Sequence, residues 1–293
     1  MSRAVVLGAT GFLGRAVCAR LERDGWIVDA VGSARIDLRE PACAEQVASL
    51  LDPDSVLIAV AAVTRDRGDQ QTDFEGNVRI AATVAEALRR SRARKCVYVS
   101  SDAVYGDART NLRITEHTLP APTTAYGVAK LAGEFLIAQA ATERMIPLAI
   151  LRTCRVYGPG DPHLTYGPAR FLAAARDQRA IELFGQGEER RDLLFVEDFA
   201  AYAADMAANE AVGTYNLGTG LSRSFAEVAR DIAALMPHPV AIRHLPRQRS
   251  IAHLGFHLDK LRQVCPSVTL TDWITGLRAS AVDSATGAIA CHP

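Results

Sequence analysis

The chain has 293 residues, 33 basic and 33 acidic side chains and no net charge, with 49% hydrophobic residues. That balance leaves no electrostatic footprint for nucleic acid or an anionic membrane, and no apolar run reaches the roughly 18–20 residues of a membrane span. Six cysteines (18, 43, 96, 154, 265 and 291) are scattered without a C-x-x-C pair, and the chain enters a strand with no charged leader; a reduced, cytoplasmic protein without a metal site is expected.

The first predicted strand runs into Gly8-Ala9-Thr10-Gly11-Phe12-Leu13-Gly14, and helix-forming residues 15–23 follow. Strand, glycine turn and helix start together place backbone N–H groups against a pyrophosphate. Gly8 permits the turn, Gly11 lacks the Cβ that would hold phosphates away, and Gly14 lets helix and strand pack closely. Thr10, Phe12 and Leu13 complete the predicted dinucleotide contact. A second strand, residues 26–31, ends at Gly32 where an NAD-specific fold would carry an acid; Ser33 and Arg35 come next. A hydroxyl and a guanidinium suit a ribose 2′-phosphate, so NADP(H) is favoured over NAD(H).

Asp37-Leu38 precedes a helix over 41–51, and a buried strand over 55–62 closes on the small residues Ala61 and Ala62, across which a cofactor can lie. A helix over 77–90 leads to a strand over 95–101. This βαβα alternation predicts an α/β fold with a doubly wound parallel sheet, its ligands outside the carboxyl ends of the strands. Ser101 stands at such an end. Tyr126 and Lys130 follow, spaced i and i+4 on one helix face. An ammonium beside a phenol stabilises the tyrosinate and equips the tyrosine to exchange a proton near neutral pH, with Ser101 bonding the same substrate oxygen.

This constellation resembles the short-chain dehydrogenase/reductase superfamily in its extended branch of nucleotide-sugar epimerases, dehydratases and reductases. The likeness spans roughly residues 3–280. Gly8, Gly11 and Gly14 match its nucleotide fingerprint, Asp37-Leu38 its adenine contact, and residues 99–106 its "SSxxVYG" segment. The resemblance implies a Rossmann-type sheet with a smaller C-terminal substrate lobe: a nucleotide-binding domain over 1–160 and a substrate lobe over 161–282 with segments returning to the sheet; the residues of 283–293 themselves read as a flexible tail. It implies that Tyr126 shuttles the proton, that Lys130 also holds the nicotinamide ribose, and that a homodimer forms. Residues 151–161 and 185–198 resemble "LRxxNVYGPGD" and "GxGxxxRDFVxVxD", which places a diphosphate-binding arginine at Arg191; Arg249 is a second candidate.

Two departures refine the expectation. Asp102 takes the acid place of the dehydratase pair and can assist a proton relay, but Ala103 replaces the base, which disfavours dehydration. Arg155 stands where an asparagine is frequent, consistent with an anionic group or another glycosyl contact on the substrate. His163, after Gly160-Asp161-Pro162, is a further substrate candidate. His253 and His257 have the spacing of a helical metal pair but no carboxylate motif accompanies them. The expected activity is hydride transfer at C4 of a nucleoside-diphosphate sugar, with a 4-ketoreductase favoured. A C4 epimerase retaining its NAD is the alternative, and a non-catalytic NADP(H) sensor the third reading.

Overall fold

The computed structural model describes residues 2–64, 70–107, 110–164, 167–247 and 250–282. β1 (Arg3–Leu7), α1 (Phe12–Arg23), β2 (Ile27–Val31), α2 (Ala44–Ser49), β3 (Ser55–Ala59), α3 (Gln71–Arg90) and β4 (Lys95–Ser101) alternate along the first third of the chain. A 3-10 turn, Asp102–Tyr105, follows β4, then β5 (Asn111–Ile114), α4 (Ala125–Glu143) and β6 (Leu148–Thr153). β7 (Arg155–Tyr157), α5 (Gly167–Arg176), β8 (Ile181–Phe184), β9 (Arg190–Arg191) and β10 (Leu193–Phe195) come next, then α6 (Val196–Ala208) and β11 (Gly213–Leu217). β12 (Arg223–Ser224), α7 (Phe225–Leu235), β13 (Ile242–Leu245), β14 (Leu254–Phe256), α8 (Asp259–Val264) and α9 (Trp273–Val282) complete the described elements.

Six strands form one sheet in the order β11-β6-β4-β3-β1-β2, every neighbour parallel. The order turns between β1 and β3, where sequence runs outward in both directions and leaves a crevice at the carboxyl ends. The strands are apolar on both faces because helices cover both, as parallel sheets require. Val17, Cys18 and Leu21 of α1 pack with Phe199 and Ala203 of α6 on one face. On the other, α3 and α4 contribute Val84, Leu88, Ile137 and Ala141. A third cluster joins α5, α7, β8 and α9 through Phe171, Leu183, Val228 and Leu277.

Several boundaries differ from the periodicity reading. The predicted helix over 41–51 is a 3-10 turn, Pro41–Cys43, followed by the six residues of α2. The third strand stops at Ala59, and Ala61 and Ala62 belong to the loop beyond it. α3 starts at Gln71, six residues before its predicted start. Residues 283–293, read from sequence as a tail, lie outside the described residues. Among the described residues no helix is long and apolar enough to cross a membrane.

Candidate active site

β1 and β2 fix the glycine turn between them. Gly8 adopts φ +86° and its N–H donates to the Val31 carbonyl at 2.9 Å. A Cβ on Gly8 would stand 2.7 Å from the Ala61 backbone, and one on Gly14 2.1 Å from the Gly8 oxygen. Those approaches require glycine. Gly11 caps α1 without a side-chain bond, and the first turn of α1 holds no acid. The unsatisfied amides and positive dipole end of the helix are therefore left for an anion.

A cavity of about 530 Å³ opens here, lined by Gly8, Thr10, Gly11, Phe12, Leu13 and Gly14. Ser33, Asp37 and Leu38 form one end, and Ala61 and Ala62 lie on its floor. Asn77 of α3 holds that floor by bonding both the N–H and the carbonyl of Val63, each at 2.9 Å.

The β2 end corrects one expectation. Arg35 does not line the cavity; its half-exposed guanidinium pairs with the Asp29 carboxylate of β2. Gly32 also has a packing reason, since a Cβ there would meet the Thr10 methyl at 2.5 Å. Arg39, which the sequence reading passed over, does line the cavity. It grips Asp37 in a fork, Nε–Oδ1 2.9 Å and Nη2–Oδ2 2.6 Å, and so draws that carboxyl down to about 2.

At the other end the cavity is lined by Ser101, Asp102, Tyr126 and Lys130. Ser101 ends β4 and caps the 3-10 turn: its Oγ accepts from Ala103 N and donates to Asp102 Oδ1, both at 3.2 Å. Thr124 caps α4 by accepting from Gly127 N at 3.1 Å. A Cβ on Gly127 would lie 2.4 Å from the Ala103 oxygen, so glycine allows α4 to press on that turn and brings Tyr126 into the cavity. Lys130 is buried, donates to the Val99 carbonyl and lies 4.6 Å from the centre of the Tyr98 ring. Burial pushes its ammonium down to about 8, while Glu134 opposes that fall.

Arg155 and His163 line the cavity as well. His163 holds Asp161 Oδ1 at 2.6 Å through Nδ1 and meets the Phe12 ring edge-on. Arg191 does not reach the cavity wall. It is buried, donates from Nη1 to the carbonyls of Arg190 and Ala252, and leaves Nε without a partner. Burial first, and then the charge of Arg155, lower its guanidinium to about 10. Arg249 lies outside the described residues. His253 and His257 flank strand β14 rather than sharing a helix face, and His253 Nδ1 accepts from Arg190 N at 3.1 Å.

The model of the NAD dependent epimerase/dehydratase family matches residues 4–218. The chain belongs to that family. Among similar members, a UDP-glucose 4-epimerase of Mycolicibacterium smegmatis is 29% identical over 93% of this chain and 96% of its own length. A protein of Bacillus subtilis described as an uncharacterized UDP-glucose epimerase is 28% identical over 66% of this chain and 69% of its own. The epimerase/dehydratase fold recurs in the Thermus thermophilus UDP-glucose 4-epimerase complex with NAD: TM-score 0.83, 23% identity, covering 98% of this chain and 100% of that one. A UDP-glucuronic acid 4-epimerase from Bacillus cereus, in complex with UDP-glucuronic acid and NAD, gives 0.82 at 20% identity over 96% and 98% of the two chains.

Proposed function

We propose that this chain is an NAD-dependent epimerase acting at C4 of a nucleoside-diphosphate sugar. The observation that carries the reading is the convergence of Ser101, Tyr126 and Lys130 on the cavity that begins at the glycine turn. The near full-length relative named as a UDP-glucose 4-epimerase supports epimerisation over the ketoreductase favoured from sequence. That preference rested on the missing dehydratase base at Ala103 and on the Ser33/Arg35 pair, of which Arg35 has its guanidinium on Asp29. NAD is accordingly the proposed cofactor.

The glycine cradle fits a dinucleotide: side chains at Gly8 and Gly14 would collide with the Ala61 backbone and the Gly8 oxygen, so glycine keeps the turn tight there, and Gly11 presents no Cβ to the pyrophosphate. The turn and the α1 amides would hold the pyrophosphate, Asp37 and Leu38 the adenine end, and Lys130 the nicotinamide ribose. When bound, the nicotinamide supplies reversible hydride acceptance. The protein's own part is proton chemistry. Tyr126 takes the proton of the sugar 4-hydroxyl and later returns it, Ser101 Oγ bonds the same oxygen, and the Lys130 ammonium stabilises the phenolate. Asp102, hydrogen-bonded to Ser101, connects that hydroxyl towards solvent in a relay. Arg191, a buried cation whose Nε–H has no partner, is the proposed diphosphate ligand, with Arg155 and His163 along the sugar. Arg249 remains a proposed second diphosphate ligand. Ala103 supplies no base beside Asp102, which argues against dehydration. A homodimer through the outer face of α4 completes the proposal, where Val128 and Phe135 are exposed two turns apart.

The test is turnover without added dinucleotide. UDP-glucose, UDP-galactose, UDP-glucuronic acid and their dTDP counterparts are each incubated with the protein, and C4 stereochemistry is read by NMR. Interconversion at C4 is expected for at least one sugar. Reduction of a 4-keto sugar with consumption of NADPH, and no interconversion, would replace the epimerase with the ketoreductase.

A further inference from the structure

A second cavity, of about 410 Å³, opens between α5 and the paired strands β8 and β13. It meets the first at one loop: Pro162 and His163 line the first cavity, and Leu164 lines this one. A row of side chains joins them as well. The Arg155 guanidinium lies 6.0 Å from the centre of the Phe225 ring, and Phe225 meets Phe171, on the wall of the second cavity, edge-on at 6.1 Å. Three charged side chains converge on this second space. β8 turns Ile181 and Leu183 into the core and Glu182 outward; Arg243 is the register partner of Glu182 on β13, and Arg170 comes from α5. Each oxygen of Glu182 faces a different guanidinium: Oε2 is 3.6 Å from Arg170 Nη2, and Oε1 is 3.9 Å from Arg243 Nη1. Both separations exceed hydrogen-bonding distance, so neither guanidinium occupies the lone pairs of the carboxylate. Arg179, also on the wall, is held by Asp177 at 2.8 Å. What remains is one acceptor group between two donors, beside the apolar wall of Phe171 and Ala174.

We propose that this cavity takes the nucleobase of the substrate, and that Arg170, Glu182 and Arg243 select the imide edge of uracil or thymine. The inference rests on the reading of the substrate as a nucleoside-diphosphate sugar. With the sugar at Tyr126 and the diphosphate beside Arg155, the nucleoside follows the row through Phe225 to Phe171. Uracil and thymine carry one ring N–H between two carbonyl oxygens. That N–H donates to Glu182, and the carbonyls on either side accept from Arg170 and Arg243, each bond assisted by a full charge on the protein. Cytosine replaces the N–H by a lone pair and one carbonyl by an amino group. Either the lone pair then faces the carboxylate or, with the amino group on Glu182, one guanidinium faces a C–H. Guanine has a single carbonyl and adenine none, so neither purine supplies both arginines with one. The same array that attracts the imide edge therefore repels or leaves unpaired the edges of the other bases. Phe171 and Ala174 give the flat face of the base an apolar wall.

The test is calorimetric binding of UDP, dTDP, CDP, GDP and ADP to the full chain with NAD⁺ saturating, which needs no turnover. UDP and dTDP are expected to bind about tenfold or more tighter than CDP, and tighter than either purine diphosphate. UDP against CDP is the sharpest comparison, because the two differ only on the edge that the array reads. Glu182→Leu removes the acceptor, so UDP should weaken about tenfold while CDP changes little. Glu182→Gln keeps the shape, and its amide can turn to offer cytosine a donor, so the preference for UDP over CDP should narrow. Unchanged binding of NAD⁺ by both variants shows that the fold is intact. Equal affinities for UDP and CDP in the wild type would overturn the inference, as would a preference that survives Glu182→Leu undiminished. Either result alongside C4 interconversion of a nucleotide sugar leaves the epimerase reading standing. If none of the five diphosphates binds, the nucleoside-diphosphate reading falls together with this one.

Discussion

In the proposed reaction Lys130 carries a charge in a place that burial makes hostile to it. With its ammonium at about 8, the lysine is protonated at neutral pH and loses its charge as pH rises through that value. Turnover should therefore fall on an alkaline limb centred near pH 8, which a pH profile of kcat measures. Tyr126→Phe removes the oxygen proposed to exchange the proton, and a loss of about 10²–10⁴-fold in kcat is expected, with dinucleotide affinity by fluorescence titration nearly unchanged. These residues were legible in the sequence because the pattern is local: i and i+4 on a helix, and a serine at the end of an apolar strand. Arg35 and Arg39 were not. Both are arginines in one loop, and which of them faces the cavity depends on carboxylates, Asp29 on the strand and Asp37 in the turn, that claim them in three dimensions. The burial of Arg191 is equally non-local, since it comes from the Ala252 loop closing over it.

At the scale of elements, two devices hold the site. One is the contact of α1 with the glycine turn. A methyl at Gly14 would sit 2.1 Å from the Gly8 oxygen, so Gly14→Ala should cost about 1–3 kcal/mol in urea unfolding and weaken dinucleotide binding as the turn shifts. The other is the buried pair of Glu134 on α4 and Arg152 on β6, Nη2–Oε2 2.6 Å. Arg152→Met leaves a buried carboxylate without its cation and should destabilise by about 3–5 kcal/mol, whereas removing both partners should cost far less; a double-mutant cycle of unfolding free energies reads the difference. The alternation of β1 to β4 with α1 to α3 was legible because buried parallel strands are continuous apolar runs. Strands of two to four residues, such as β9, β12 and β14, are too short for any period to register. That is why the i, i+4 spacing of His253 and His257, set aside for want of a carboxylate motif, gave no sign of the strand that separates them.

The whole molecule places a dinucleotide-sized cavity at the turning point of a parallel sheet and a lobe of short strands beside it. Val128 and Phe135 remain outside on α4, 42% and 67% exposed. Phe135→Glu should convert the proposed dimer to monomers in sedimentation velocity while the unfolding midpoint of the monomer holds. Lys95, buried on β4 and bonded to the Asn209 carbonyl, is lowered by burial from 10.5 to about 8. The unfolded chain then binds more protons at this site between those values, so its contribution to stability improves as pH rises through that window. Wild type should gain on Lys95→Met as pH increases from about 7 to 9.5, a difference that cancels the opposing effect of the buried thiols.

The most direct test of the account is to denature the purified protein and identify what it releases. Stoichiometric NAD⁺ is the predicted result, because an epimerase returns its nicotinamide to the starting state and has no need to exchange it. A protein that releases nothing and then takes up NADPH in preference to NADH would contradict the account, returning the β2 end and a net reduction to the centre of the problem.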